Sequence, residues 1–164
     1  LYGFDVEEIP AQDIDEVAIS STKIRTALLS GDVKTAEAYL GHTYGLTGKV
    51  IPGDRLGRTI GYPTANIQIE HDYKLIPGTG VYACFIHVDK KVYRGMVNIG
   101  SRPTVPSNEF RIEAHIFDFD QDIYNHELRI EFKERLRSEQ QFDDMEQLQD
   151  QLRKDAIETD RLLK

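Results

Sequence analysis

Gly53, Gly57 and Gly61 recur at intervals of four between Pro52 and Pro63, with Arg55 and Arg58 among them. Proline on both sides excludes a helical packing motif. The segment reads instead as a loop whose backbone can approach another group without interference from Cβ atoms. Its two guanidinium groups suit phosphate oxygens. The pattern is not a P-loop, which needs Gly-Lys-Ser/Thr opening a helix, nor is it Gly-x-Gly-x-x-Gly. Spacing alone leaves two readings open, an ordinary long turn and a flap that cradles phosphate.

Pro63-Thr64-Ala65-Asn66 follows directly. In extended backbone Thr64 and Asn66 leave the same face of a strand. A hydroxyl beside an amide oxygen can serve a hard cation such as Mg²⁺, which completes its octahedron with phosphate and water. Turn chemistry near a strand end would use the same residue types. Glu113 is the third candidate, in Arg111-Ile112-Glu113-Ala114-His115-Ile116-Phe117. It sits on the face opposite Ile112, Ala114 and Ile116, where it either meets solvent or is placed for proton transfer. His42, His71, His87, His115 and His126 are unpaired at i+2 and i+4, and neither a histidine zinc site nor a Cys–His nucleophile with Cys84 is supported.

The elements that must position these groups fall into three zones. Residues 1–19 hold six carboxylates and no Lys or Arg, without sustained periodicity, and are expected to be mobile. Two short helices follow, one capped by Ser21 and ended by Gly31, the other capped by Asp32 and ended by Gly41. Strands rich in Val, Ile, Tyr and Phe are expected at 46–51, 62–69, 80–88, 92–99, 111–119 and 127–133. With no helix between them, they predict a mainly β fold, a six-stranded antiparallel Greek-key-like barrel or a sandwich. A long C-terminal helix then begins at a capping box of Asp143 and Glu146. Met145, Leu148, Leu152, Ala156 and Leu163 form its apolar stripe, and its charges are expected on the solvent face.

Composition narrows the function classes. The 164 residues carry a net charge of −8, and the pI near 5.1 argues against nucleic acid as a partner. No apolar run is long enough to span a membrane. Cys84 is the single cysteine, which excludes a disulfide scaffold and suits a cytoplasmic protein.

Taken in order, Gly53-(x)3-Gly57-Arg58-(x)2-Gly61-Tyr62-Pro63-Thr64-Ala65-Asn66 and Gly80-Val81-Tyr82-Ala83 resemble the riboflavin kinase (flavokinase) family. Asn98-Ile99-Gly100-Ser101-Arg102-Pro103-Thr104, Ile112-Glu113-Ala114-His115-Ile116-Phe117-Asp118 and Arg135-Leu136-Arg137-Ser138-Glu139-Gln140-Gln141-Phe142 continue the match. The resemblance covers residues 46–164. It implies a six-stranded barrel with a C-terminal helix, and ATP-dependent phosphorylation of riboflavin to FMN. By motif position Thr64 and Asn66 would bind Mg²⁺ and the ATP phosphates. Gly53, Gly57, Arg58 and Gly61 would form the flap, Glu113 would be the base, and Arg137 and Phe142 would border the flavin. Ile19-Ser20-Ser21-Thr22-Lys23-Ile24-Arg25 resembles the closing motif of the FMN adenylyltransferase module that precedes this kinase in bacterial FAD synthetases. Residues 1–45 would then be the end of that module, with Ser20, Ser21, Thr22 and Arg25 as motif residues. The His-x-Gly-His signature of its nucleotide-binding half is missing from the sequence. The expectation is therefore a piece of a longer bifunctional protein, or a degenerate product, that cannot itself make FAD. A flavin-binding or regulatory barrel without turnover is the alternative.

Overall fold

The computed structural model describes residues 13–14, 17–53, 56–71, 73–101 and 110–164. The expected mobility of residues 1–19 falls mostly outside these. So do Arg55 of the glycine loop and Arg102, Pro103 and Thr104 of the quoted motif. Within the first segment Asp13–Ile14 (β1) and Val17–Ala18 (β2) form a small antiparallel ladder.

All six expected strands are present. They are β3 (Gly45–Ile51), β4 (Ala65–Gln68), β5 (Gly80–Val88), β6 (Lys91–Ser101), β7 (Phe110–Ile116) and β8 (Glu127–Arg137). They close into an antiparallel barrel in the order β3-β4-β7-β6-β5-β8. In that order β4 lies beside β7, and β8 beside β5, each at one edge of the consecutive β5-β6-β7 run. Both arrangements are Greek keys. Strand alternation sends Leu46, Val50, Ile67, Tyr82, Ile86, Val97, Ile99, Ile112, Leu128, Ile130 and Phe132 into one core. There the Tyr82 and Phe132 rings meet edge to face at 5.3 Å.

Three strand ends differ from the sequence expectation by three residues or more, the others by two at most. Residues 62–64 stay off the ladder because Tyr62 N donates to Gly57 O (2.8 Å), folding the chain back on the glycine loop. β7 ends at Ile116, and Asp118 follows with φ 54. β8 runs four residues past Lys133, through two register shifts against β5, and so carries Arg135 and Arg137 alongside that strand.

Helices α1 (Ser21–Ser30) and α2 (Val33–Leu40) end at Gly31 and Gly41, both left-handed, as the sequence predicts. The cap of α1 is Ser20 rather than Ser21. Ser20 has the extended backbone a cap requires, and its hydroxyl accepts from Lys23 N. Leu28, Val33 and Ala36 join the barrel core. Lys133 Nζ reaches Glu37 Oε1 (2.8 Å) and Thr43 Oγ1 (2.9 Å), tying α2 to β8.

The last helix, α4 (Met145–Leu162), is capped one residue later than expected. Asp144 accepts from Gln147 N (2.8 Å), an equivalent acid-x-x-amide pair in place of Asp143 and Glu146. Its charges are also not all on the solvent face, since Asp155 is 4% exposed. α4 lies across β5, β6 and β8. Its second half is seated by Asp155 and Thr159, with Leu163 buried just past its end, while Leu148 and Leu152 in the first half border a cavity.

Candidate active site

Barrel register puts one row of residues around the outer surface. Asn66 on β4 pairs with Glu113 on β7, and Glu113 with Asn98 on β6. Asn98 pairs with Val81 on β5, and Val81 with Arg137 on β8. Alternation explains why these side chains point outward, since Ile67, Ile112, Val97, Ile99 and Tyr82 beside them face the core. With strands about 4.8 Å apart, Glu113 and Arg137 stand about 14 Å from one another around the wall.

Two cavities meet at the head of β4. One, of about 400 Å³, lies between the outer wall and α4 and is lined by Tyr62, Glu113, Arg137, Phe142, Leu148 and Leu152 among others. The other, of about 500 Å³, opens at the barrel end and is lined by Arg58, Phe119, Asp120, Asp122 and Tyr124 among others. Thr64 lines both. Gly57 lines the first cavity and Arg58 the second, so the glycine loop sits between them.

The loop contains one helical turn, α3 (Leu56–Thr59), where the sequence suggests irregular chain. Its leading end rests on Asn66. A Cβ built at Gly53 would fall 1.8 Å from Asn66 Nδ2, so only glycine lets the backbone lie this close. Asn66 is 8% exposed. Gly61 has φ 82 and open space around it. Across the cavity mouth, Gln149 Nε2 of α4 donates to Ile60 O at 3.2 Å.

Glu113 is not directed to bulk solvent. Its side chain is 20% exposed, and Oε1 lies 3.0 Å from Arg111 Nη2. The guanidinium compensates the carboxylate charge, and the row leaves Glu113 between Asn66 and Asn98. His115, two residues along the same face, donates from Nδ1 to Pro63 O (2.7 Å), because a carbonyl can only accept. Burial pushes its imidazole below the ordinary histidine range, and the Pro63 carbonyl offsets this in part. The neutral ring thus anchors the residue just before Thr64.

At the far end of the row, Arg137 Nε and Nη2 bind both oxygens of Asp155 at 2.8–3.1 Å. The guanidinium carbon lies 5.8 Å from the centre of the Phe142 ring. The two expected flavin-side residues are therefore in contact with each other and share the cavity with Glu113. Ser20, Ser21, Thr22 and Arg25 line neither cavity; they occupy the start of α1.

The model of one family, riboflavin kinase (flavokinase), matches residues 40–163, three-quarters of the chain and all of the barrel and α4. The chain belongs to the riboflavin kinase family. It is 43% identical over 159 residues to the bifunctional riboflavin kinase/FMN adenylyltransferase of Bacillus subtilis, covering 95% of this chain and 49% of that protein. The protein of the same description from Escherichia coli K12 is 36% identical over 157 residues, covering 95% and 50%. The chain thus spans about half the length of the curated relatives it matches. Among solved structures, one described as a macrolide-efflux protein from Streptococcus pneumoniae superposes with a TM-score of 0.87 at 40% identity, covering 92% of this chain and 49% of that one. A riboflavin kinase from Trypanosoma brucei superposes with a TM-score of 0.51 at 25% identity, covering 73% and 78%.

Several residues of this family member's cavity carry no role in the sequence reading. Asn98 and His115 lie within the quoted motifs and Arg111 directly before one, and alternation along β6 and β7 already puts them on the outward face. Asp155 has no comparable signal, since a single acid in a charged helix reads as solvated. Among the described residues no group of three or more His, Cys, Asp or Glu could hold a metal ion. No described helix is long and apolar enough to cross a membrane.

Proposed function

We propose that this chain transfers the γ-phosphoryl group of ATP to the 5′-hydroxyl of the riboflavin ribityl chain, giving FMN and ADP. The observation that carries the reading is the single wall shared by two cavities, with Thr64 common to both and Glu113 in the outer one. Phosphoryl transfer needs donor and acceptor in line at a common point, and positioning with charge compensation supplies most of the catalysis. The nucleotide would occupy the barrel-end cavity, beneath the glycine loop and Arg58. The flavin would lie between the wall and α4, with its ring near Phe142 and Arg137 and its ribityl chain running along the row toward Glu113.

Glu113 accepts the proton of the 5′-hydroxyl as that oxygen bonds to the γ-phosphorus and the bond to the ADP oxygen breaks. Arg111 holds the carboxylate in place during the transfer. Arg58, which lines the barrel-end cavity, would face the phosphate charge. Gly53 allows the loop to rest directly on Asn66 and keeps the two parts together. Thr64 lines both cavities and Asn66 follows two residues on, buried beneath Gly53; their neutral oxygens are a donor pair that would suit Mg²⁺ when phosphate supplies further ligands. When bound, that ion would supply positive charge to offset the charge that develops on the transferring phosphoryl group.

Residues 46–164 form the kinase module in this reading, and residues 1–45 are the end of an FMN adenylyltransferase module. The names of the relatives, of which the chain spans about half, support this division. A longer protein containing this chain would carry FMN on to FAD. The buried free thiol of Cys84 suits a cytoplasmic enzyme.

The test is to incubate purified chain with riboflavin and MgATP and to separate the flavins by chromatography. FMN should form, vanish on chelation of Mg²⁺, and be absent with Glu113→Gln although that variant still quenches riboflavin fluorescence. Quenching without FMN from folded wild-type protein would make this a flavin-binding barrel and sink the kinase reading.

A further inference from the structure

Asp155 lies on α4 in a run that otherwise reads as solvated charge, yet it is 4% exposed. A carboxylate that far from water requires ionic and hydrogen-bonding partners. Arg137 supplies them from β8, with Nε at 3.1 Å from Oδ1 and 2.9 Å from Oδ2, and Nη2 at 2.8 Å from Oδ2. Gln151 Nε2, one turn earlier on α4, donates to Oδ1 at 2.8 Å. Arg137 Nη1 donates to Ser138 O at 3.1 Å. All three guanidinium nitrogens are therefore committed, and the plane of the group is fixed. Arg137 and Phe142 line the cavity against α4, whereas Asp155 does not. The acid stands behind the arginine, whose guanidinium carbon lies 5.8 Å from the centre of the Phe142 ring at the cavity wall.

Fold stability alone does not call for this arrangement, because well-packed apolar residues commonly replace a buried ion pair with no loss of stability. What an apolar pair would not reproduce is a flat, charge-compensated guanidinium set against Phe142 at the cavity wall. We propose that Asp155 is a positioning residue for the flavin ring: by orienting and neutralising Arg137 it sets the wall on which the acceptor binds. The inference rests on the reading of this cavity as the riboflavin site. Without the carboxylate, Arg137 is an uncompensated cation that turns toward water or a phosphate, and Phe142 loses its backing.

The experiment compares wild type, Asp155→Asn, Arg137→Met and the apolar pair Arg137→Met/Asp155→Leu. Riboflavin Kd is read from fluorescence quenching, with KM for riboflavin and for MgATP, kcat and Tm measured in parallel. Asp155→Asn should raise Kd and KM for riboflavin about tenfold, the loss expected for one hydrogen bond to a charged group, with KM for MgATP within twofold of wild type. Arg137→Met should do the same. The apolar pair should recover the Tm lost in the single variants without recovering riboflavin affinity, which separates positioning from packing. If Asp155→Asn fails to fold, the apolar pair alone decides. Wild-type riboflavin affinity in the apolar pair, or a fall in Tm with both KM values unchanged in Asp155→Asn, overturns the proposal. Wild-type protein that neither binds nor phosphorylates riboflavin overturns the kinase reading itself, and the Asp155 inference with it.

Discussion

Gly53→Ala probes the joint on which the proposed nucleotide site depends. The added Cβ would sit 1.8 Å from Asn66 Nδ2 and 2.4 Å from its Cγ, so the contact must open by roughly 1.6 Å to reach the ordinary 3.4 Å. Asn66 has little freedom to withdraw, being 8% exposed and held in the ladder between Ile51 and Glu113. The loop must therefore move, and displacement of about 1 Å from a productive geometry can cost about 100-fold in rate. We expect kcat/KM for MgATP to fall by about that factor while riboflavin Kd stays within twofold. Gly53 is not among the positive-φ glycines, so alanine itself is tolerated by the backbone. Its reduction of unfolded-chain entropy stabilises by about 0.4–1 kcal/mol and offsets part of the displacement cost. Tm should thus change by only a few degrees. The assay is steady-state FMN formation over a range of MgATP concentrations, with thermal unfolding followed in parallel. Gly61→Ala is the control: φ 82 makes it strained, but nothing lies within 4 Å of its Cβ, so its rate loss should stay under about tenfold. A Gly53→Ala protein with wild-type kcat/KM for MgATP would refute the role assigned to the Gly53–Asn66 contact.

Acid stability follows from Glu37, whose carboxyl is held below its ordinary range, chiefly by Lys133 and then by Thr43. Its folded-state pKa lies below the unfolded one, so its contribution is present above the unfolded value and is lost as pH falls through the folded one. Urea unfolding at pH 7 and pH 3.5 should show a smaller drop for Glu37→Gln than for wild type, and equal drops would contradict this. Cys84 is buried and its thiol is pushed well above the usual range by that burial. It should resist Ellman's reagent in native protein and react fully in denaturant, whereas rapid native labelling would contradict its burial. Asp144→Ala should cost about 1 kcal/mol through loss of the α4 cap, and Asp143→Ala close to nothing; equal Tm values for the two variants would contradict the cap assignment.

Much of this architecture was legible in local sequence. Runs rich in Val, Ile, Tyr and Phe marked all six strands, and Gly31 and Gly41 marked two helix ends, because strand preference and left-handed backbone are properties of a few consecutive residues. The glycine loop, Thr64, Asn66 and Glu113 stood out for the same reason, since their residue types are unusual for their positions. Boundaries decided by competition between neighbours were less legible: Ser20 outcompetes Ser21, and Asp144 outcompetes Asp143, through backbone conformation that either residue could have adopted. What only the tertiary structure decided is the pairing. Periodicity assigns Asn66, Glu113, Asn98 and Arg137 to outward faces, but a shift of one residue in any ladder would separate them. That register is set by closure of the barrel and by the two irregularities between β5 and β8. Asp155 is the clearest case. The residue that turns it from a solvated helix charge into a buried one, Arg137, lies eighteen positions away on another element. A carboxylate's burial depends on the partner that tertiary packing brings to it, and no local pattern encodes that partner.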